Sequence, residues 1–455
     1  MNGSTTRHYL VISAVIALSL RAAAGQCVPQ WSAAFPNCPF DAVTSIFQYD
    51  VDGAGPNPPL LIVGGQRQVQ GAPPGDVIAT WNGSTWGTVG SGLIGGPWAD
   101  VAAMEAYDED GPGGNPPALF AAGSFNSPGQ PNYIARWNGT QWSAVGGGLT
   151  SYVTGMTTWD PDGAGPQRPL LVVSGSWFIK TWDGVVWTDI TQGPIAVPLS
   201  IVSFDPDGDG PQPPQLIRGM PTWYGEPQVQ RWTGASWVPL GDSTNGSFID
   251  ARVKVLLVVD PDGPGPALPV LYAAGRMNSI GSIPIRSVAK WDGVQWSAVG
   301  FNIDVNDEVM ALAWFDEDGA GPTPASLYAG QGMNLSLGRF DGAQWVTVGS
   351  GFSGYTYSSI AISDTAGSGL YVGGDLFAAG GSPARGLVRW GCPTCYANCD
   401  HSAVAPILNA NDFQCFLNAF AVALPYANCD GSISVPVLTA NDFQCFLNRY
   451  ASGCP

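Results

Sequence analysis

Leu119-Phe-Ala-Ala-Gly-Ser-Phe125 and, a little further on, Ile134-Ala-Arg-Trp-Asn-Gly-Thr-Gln-Trp-Ser-Ala144 are the two stretches that decide the fold. The first is an apolar run ending in glycine, the pattern of a buried strand. The second is a strand ending at Trp137, an Asn138-Gly139 hairpin turn and a return strand from Trp142. Upstream, Val101–Tyr107 reads as another strand and runs into the acidic turn Asp108-Glu-Asp-Gly111. Four strands, named a, b, c and d in chain order, thus make one unit.

The unit recurs at intervals of 45 to 59 residues, the length of a four-stranded propeller blade. The c–d hairpins are Trp81/Trp86, Trp137/Trp142, Trp182/Trp187, Trp232/Trp237, Trp291/Trp296 and Phe340/Trp345. The Asp-x-Asp-Gly turns start at Asp50, Asp108, Asp160, Asp205, Asp260 and Asp316, and the motif decays at Asp364. Apolar b runs end at Gly65, Gly123, Gly175, Gly219, Gly275, Gly330 and Gly374. The seventh copy stops at Val388-Arg-Trp390 without a d strand. Gln30-Trp-Ser-Ala33 repeats Gln141-Trp-Ser-Ala144 residue for residue, so the N-terminus is expected to supply that strand and remove an open edge. The fold expected is mainly β: a seven-bladed β-propeller over 26–391, closed by an N-terminal strand, plus a small α-helical module over 392–455.

Composition narrows function. Lys+Arg 17 against Asp+Glu 35 leaves a formal charge of -18, which repels nucleic acid and anionic membranes. The two histidines, His8 and His401, are too few for a Ser-His-Asp triad in the main domain or a multi-His zinc centre. Residues 1–25 read as a secretory signal: Arg7 and His8, an apolar run from Tyr9 to Leu20, then Ala22-Ala-Ala24. Gln26 departs from a lipoprotein cleavage site, and no later stretch is apolar enough for a membrane span. The expectation is a secreted or cell-surface protein.

Export favours oxidised cysteines. The nine lie at 27, 38, 392, 395, 399, 415, 429, 445 and 454. Closing the last blade brings Cys27 toward Cys392, the expected disulfide, with Cys395 as the alternative partner. Cys392-x-x-Cys395 also has the spacing of half a zinc site.

Thirteen of the eighteen tryptophans occupy repeated positions and read as inter-blade packing; Trp159 and Trp314 precede acidic turns and read as core. Trp98, Trp177 and Trp223 fall in irregular segments and are the candidate ligand platforms. The a–b turns, with their adjacent acids and Asp364, hold sixteen of the 35 carboxylates and lie on one face. They read as Asp-stabilised turns, or as weak calcium loops of which Asp205, Asp207 and Asp209 form the best. The other face carries the b–c and d–a loops, with Arg67, Arg276, Arg286, Arg385, Tyr355 and Tyr357. No carboxylate pair there has a glycosidase spacing.

The repeat, carried by Leu119–Phe125 and Ile134–Gly139, resembles bacterial delta-60 propeller repeats, the fungal cortical polarity-marker repeats and, more distantly, kelch-type propellers. The resemblance covers 27–391 and implies a fold, since such propellers include enzymes, adhesins and scaffolds.

At the C-terminus Tyr396-Ala-Asn-Cys-Asp400 recurs as Tyr426-Ala-Asn-Cys-Asp430. Asn411-Asp-Phe-Gln-Cys-Phe-Leu-Asn418 recurs as Asn441-Asp-Phe-Gln-Cys-Phe-Leu-Asn448. This pair of loop–helix units resembles a dockerin-type module of the cysteine-containing kind found in exported planctomycete-like proteins. The resemblance implies calcium held by Asn398, Asp400, Ser402, Asn409 and Asp412, and by Asn428, Asp430, Ser432, Thr439 and Asp442. Each loop carries about three extra residues, including Pro406 or Pro436, and His401 stands where the second unit has Gly431. The alternative is a disulfide-held helix pair whose Asp side chains cap turns. Cys399/Cys415 and Cys429/Cys445 are the expected bridges, with Cys454 to Cys395 and Cys38 left over. The resemblance further implies a cohesin-like or other surface protein as partner.

The reading that follows is an exported, non-catalytic binding or scaffold propeller, attached through a calcium-dependent dockerin-like module. Its alternatives are a carbohydrate-active enzyme displayed by that module, or a glycan-binding adhesin.

Overall fold

The computed structural model describes residues 29–452 apart from 34, 52–58, 68–74, 83–84, 97, 112–115, 127–130, 164, 193–196, 209, 222–227, 244–250, 263–264, 302, 304–307, 318–323, 332–336, 365–366, 392–396, 400–407, 422–426, 428 and 430–437, and apart from the side chains of 359–368. Two compact units hold them: the strands belong to one, within 27–395, and the two helices to the other, within 396–454.

Seven large antiparallel sheets fill most of the first unit, each with four main strands hydrogen-bonded in the order a-b-c-d; two short ribbons, Gly75–Asp76 with Ile94–Gly95 and Ser279–Ile280 with Ile283–Pro284, lie beside them. The a strands are Ala42–Tyr49, Val101–Tyr107, Val153–Trp159, Ser200–Phe204, Arg252–Val259, Val309–Phe315 and Phe352–Asp364. Each packs against the a strand of the next sheet, and Phe352–Asp364 packs back against Ala42–Tyr49. The sheets therefore close into a seven-bladed propeller with the a strands innermost.

Apolar burial is concentrated between blades. The cluster of Tyr49, Ile62 and Ile78 with Met104, Leu119 and Trp137 joins the first blade to the second. Six further clusters join the remaining neighbours around the ring, ending with Tyr371 and Leu387 against Val43, Val63 and Trp81. A fully buried Leu, Ile or Phe contributes about 1.5–3 kcal/mol, so these interfaces carry most of the unit's stability.

The tryptophan repeat adds a polar ring to this packing. In each blade the d-strand indole donates its Nε1–H to a carbonyl just beyond the d strand of the preceding blade. The pairs are Trp142 to Val89 (2.9 Å), Trp187 to Val145 (3.2 Å), Trp237 to Ile190 (3.1 Å) and Trp296 to Leu240 (2.8 Å). Trp345 to Val299 (2.9 Å), Trp31 to Val348 (3.1 Å) and Trp86 to Pro36 (3.1 Å) complete the circle. Glycine follows several of these carbonyls for a reason: Gly146 has φ 54°, and a Cβ there would lie 2.5 Å from Trp182. The c–d turns follow from local chemistry too. Asn138 Oδ1 accepts the N–H groups of Thr140 (3.0 Å) and Gln141 (2.9 Å), and Asp183, Asp292 and Asp341 do the same for their own turns.

The seventh blade takes its d strand from the N-terminus. Gln30–Ser32 pairs antiparallel with Leu387–Gly391, placing Trp31 opposite Trp390 as the repeated Gln-Trp-Ser-Ala predicts. Two details differ from the expectation. In the sixth b strand, Ser326–Gln331, the register puts Gln331 and not Gly330 opposite Val309, where Gly123 stands opposite Val101 in the second blade. The seventh a and b strands run thirteen residues each and continue as a long hairpin past the sheet.

In the second unit α1 (Ala410–Ala421) and α2 (Ala440–Ser452) form the duplicated pair. The repeated Phe side chains face each other, with Phe416 stacked on Phe446 at 4.1 Å and Phe413 edge-on to Phe443 at 5.7 Å.

Candidate functional site

Antiparallel order puts the a–b and c–d turns on one face of the ring and the b–c and d–a loops on the other. The first face is acidic, and its carboxylates are largely engaged with their own loops. Asp160 Oδ1 accepts the N–H groups of Asp162 (3.2 Å) and Gly163 (3.0 Å), while Asp162 Oδ2 accepts that of Gln167 (3.0 Å). Asp205 and Asp207 repeat the pattern, toward Asp207 N–H (3.2 Å) and Gln212 N–H (3.2 Å). Gly210 leaves the room that the Asp207 carboxylate occupies, which a Cβ there would meet. Burial, reinforced by the neighbouring Asp207 carboxyl, raises the Asp205 pKa. Asp209, the third acid of that loop, lies outside the described residues. Among the described residues no three acids, His or Cys converge on one point.

Two of these turns carry a glutamate whose role the sequence did not reveal. Glu109 accepts the Trp182 indole N–H (3.0 Å) from the next blade and pairs with Arg136 of its own. Glu317 accepts the Trp390 indole N–H (3.2 Å) and the Tyr328 hydroxyl (3.0 Å), and pairs with Arg339 (3.6 Å). Both are inter-blade staples. The signal was present as an Arg two residues before the c–d turn wherever Glu follows the first Asp, at Arg136 and Arg339.

The second face differs in kind. Every exposed large aromatic among the described residues lies on it: Trp98, Tyr152, Trp177, Phe301, Tyr355 and Phe377. The exposed large aliphatics, Val185, Val186, Val294 and Leu268, all lie on the acidic face. Of the three predicted platforms, Trp98 is 52% exposed and Trp177 54%, while Trp223 falls outside the described residues. Tyr152, Phe301 and Phe377 had no repeat or motif to mark them.

The same face carries β-bulges near the start of the a strand in six blades, leaving Thr44, Ala102, Thr154, Lys254, Met310 and Tyr357 out of register. Bulges re-aim side chains at the rim of a sheet. The expected cations are here as well. Arg385 pairs with Asp41, and Arg252, beside Arg276 across the strands, pairs with Glu308 (3.2 Å). Burial, and secondarily the Asp41 charge, raises the Asp375 pKa on the long seventh hairpin.

In the helical unit Asp412 and Asp442 are fully buried. Asp412 Oδ2 accepts the Asn409 N–H (2.8 Å) while Asn409 Oδ1 accepts that of Asn411 (2.8 Å), a reciprocal N-terminal cap of α1. Thr439, Asn441 and Asp442 do the same for α2, at 2.7 and 3.1 Å. The donors expected for calcium are all oxygen, which suits a hard cation, and two solvent-free carboxylates fit such a group. Asp400, Ser402, Asn428, Asp430 and Ser432 lie outside the described residues. Cys399–Cys415 and Cys429–Cys445 are disulfides, and Cys38 is a buried free thiol. Burial pushes that thiol up to about 11. Cys27, Cys392, Cys395 and Cys454 lie outside the described residues. No described helix is long and apolar enough to cross a membrane.

No family model matches the chain, so neither the propeller-repeat nor the dockerin resemblance is a family assignment. No curated protein matches it. Among solved structures, one similar chain is the extracellular domain of a putative hybrid two component system, BT4673, from B. thetaiotaomicron. Identity is 12%, with 80% of this chain and 39% of that one covered and a TM-score of 0.46. A second extracellular domain of that kind, BT3049 from the same organism, gives 11% identity, 78% and 40% coverage and a TM-score of 0.43. BBS1N in complex with ARL6DN gives 12%, 81% and 97%, and 0.49. The chain thus spans about two fifths of the length of those extracellular domains. Its blade count rests on its own strand pairing.

Proposed function

We propose that this is an exported, non-catalytic binding propeller whose ligand surface is the b–c/d–a face. The segregation of exposed rings carries the reading: six aromatics face solvent on that side and none of the described ones on the other. Exposed aromatics are costly to leave in water and are the groups that dominate recognition surfaces. Loops on a rigid ring are also where binding residues concentrate. In this reading the helix pair is an attachment module, loaded by calcium through the oxygen donors named above and recognising a cohesin-like or other cell-surface protein. A glycan or a protein then occupies the propeller face.

The test is binding of the full oxidised protein to arrays of glycans and of extracellular proteins. Of two variants, Trp98→Ser/Trp177→Ser and Phe301→Ser/Tyr355→Ser/Phe377→Ser, at least one is expected to lose the captured signal. A Val185→Ser/Val186→Ser/Val294→Ser variant is expected to keep it, and every bound glycan should be recovered uncleaved. Loss in the valine variant alone, or turnover of the captured glycan, would overturn the reading. Calorimetry with calcium on the same protein should give two sites, both abolished in Asp400→Asn/Asp430→Asn.

A further inference from the structure

Two of the exposed rings occupy backbone positions that glycine normally takes. The Gly96 carbonyl accepts the Ala99 N–H at 3.1 Å, closing a four-residue turn whose third residue is Trp98, with φ 68°. Gly175 is paired with Phe178 across a hairpin of two residues, Ser176 and Trp177, and Trp177 has φ 71°. A turn with positive φ at its third position selects Gly or Asn, because a Cβ there crowds the backbone. This chain has 61 glycines and uses them freely at positive φ elsewhere. At these two turns it holds tryptophan instead, and leaves about half of each side chain in water. Neither local backbone preference nor burial favours that choice, and backbone strain of this sort concentrates where a ligand is held.

The two turns are neighbours in the ring. Trp98 leads into the a strand Val101–Tyr107, and Trp177 joins the b and c strands of the blade whose a strand, Val153–Trp159, packs beside it. Tyr152, also exposed, precedes the a strand Val153–Trp159, and its carbonyl accepts the Ser176 N–H at 3.1 Å, so it is fixed to the base of the Trp177 hairpin. The cation beside the Trp98 turn, Arg67, faces an acid: it lies against Gly75, which pairs with Gly95, and its charge acts on the Asp76 carboxylate. The other polar groups nearby are neutral or acidic. The Asn126 amide donates to the Tyr133 hydroxyl at 2.9 Å, and Ser124 donates to Asp100 at 2.6 Å.

Building on the reading of this face as the binding surface, we infer that Trp98, Tyr152 and Trp177 form a saccharide site for a neutral glycan chain. A sugar ring has an apolar C–H face that stacks on an indole and a rim of hydroxyls that takes neutral hydrogen-bonding partners. Rings held on separate turns suit successive sugars better than a protein, which needs one continuous patch of about 800 Å² per partner. The charge of -18, and an Arg67 already set against the Asp76 carboxylate, disfavour sulfated or uronic glycans.

The experiment presents the full oxidised protein with immobilised neutral polysaccharides beside sulfated and uronic ones, and with extracellular proteins. The expected result is capture by a neutral member, weakened about tenfold or more in Trp98→Asn and in Trp177→Asn. Asn suits the backbone, so both variants should melt at or above the parent temperature. Trp98→Tyr and Trp177→Tyr, which keep a ring, should bind within about threefold of the parent. Binding confined to acidic glycans or to proteins, no saccharide capture at all, or Asn variants that bind like the parent would each overturn the inference. If only the Phe301/Tyr355/Phe377 variant loses binding, the saccharide site fails while the face assignment stands; loss in the Val185/Val186/Val294 variant removes both.

Discussion

Glu105 shows what a single side chain can contribute to a ring of inner strands. It lies midway along Val101–Tyr107, opposite Phe120 on the b strand, and accepts the Thr158 hydroxyl at 3.1 Å from the neighbouring blade. The pKa is pushed up to about 7 from 4.5, chiefly because burial penalises the carboxylate. Below pH 4.5 both folded and unfolded chains hold this proton, and the group has no effect on stability. Between 4.5 and 7 the unfolded chain releases it first, so stability falls as pH rises, by about 1.4 kcal/mol per pH unit at most. Glu105→Gln should therefore stabilise the protein by about 1–3 kcal/mol at pH 8 and leave it unchanged at pH 4. Urea denaturation at the two pH values measures this, and an equal change at both would refute the assignment. The sequence identified Glu105 as one of few glutamates, but its partner sits on a strand fifty-three positions away, beyond any local pattern.

At the scale of elements, the helices of the C-terminal unit are short, and tertiary supports carry them. Each starts with a reciprocal cap, stacks phenylalanines against its twin and is tied by a disulfide across sixteen residues, Cys399 to Cys415 and Cys429 to Cys445. Closing a loop of that size is worth about 3 kcal/mol in the chain-entropy model. Cys399→Ser/Cys415→Ser should lower the protection of Ala410–Ala421 amides against hydrogen exchange correspondingly. Unchanged protection would mean that caps and the Phe416–Phe446 stack hold the helix alone. Duplication made both helices legible in the sequence. It left open whether Asp412 and Asp442 bind calcium or cap turns; in the folded chain each is the third helical residue of a capping box. That capping role follows from where the helix begins.

For the whole molecule, stability depends on closing the ring. The seam is the pairing of Gln30–Ser32 with Leu387–Gly391, where Trp31 packs at 5.2 Å on Trp390 and at 5.3 Å on Phe352. It also donates to the Val348 carbonyl of the sixth blade. Among the described a, b, c and d strands, this is the pairing within one blade that joins the two ends of the ring's chain. Trp31→Ala should cost about 3–5 kcal/mol, as large-to-small changes of an indole do. Opening should begin at the seam, with Leu387–Gly391 amides exchanging before those of Ile134–Trp137. Loss of protection spread evenly over the seven blades would contradict a seam that opens first.

Repetition made the blades, their order and their closure readable from the amino acids alone. A strand that recurs with the same Trp, Gly and Asp offsets can bury its apolar face only against its own copies, and the matching Gln-Trp-Ser-Ala segments left one way to finish the ring. The fate of individual side chains needed the folded chain. Whether an Asp closes its own loop, whether Glu109 reaches Trp182, and whether Trp98 and Trp177 are covered or left in water all depend on what a neighbouring blade or a turn's φ places around them. Packing between repeats is cooperative and was written into every copy. Exposure at the loops belongs to single positions, and only the three-dimensional arrangement assigns it.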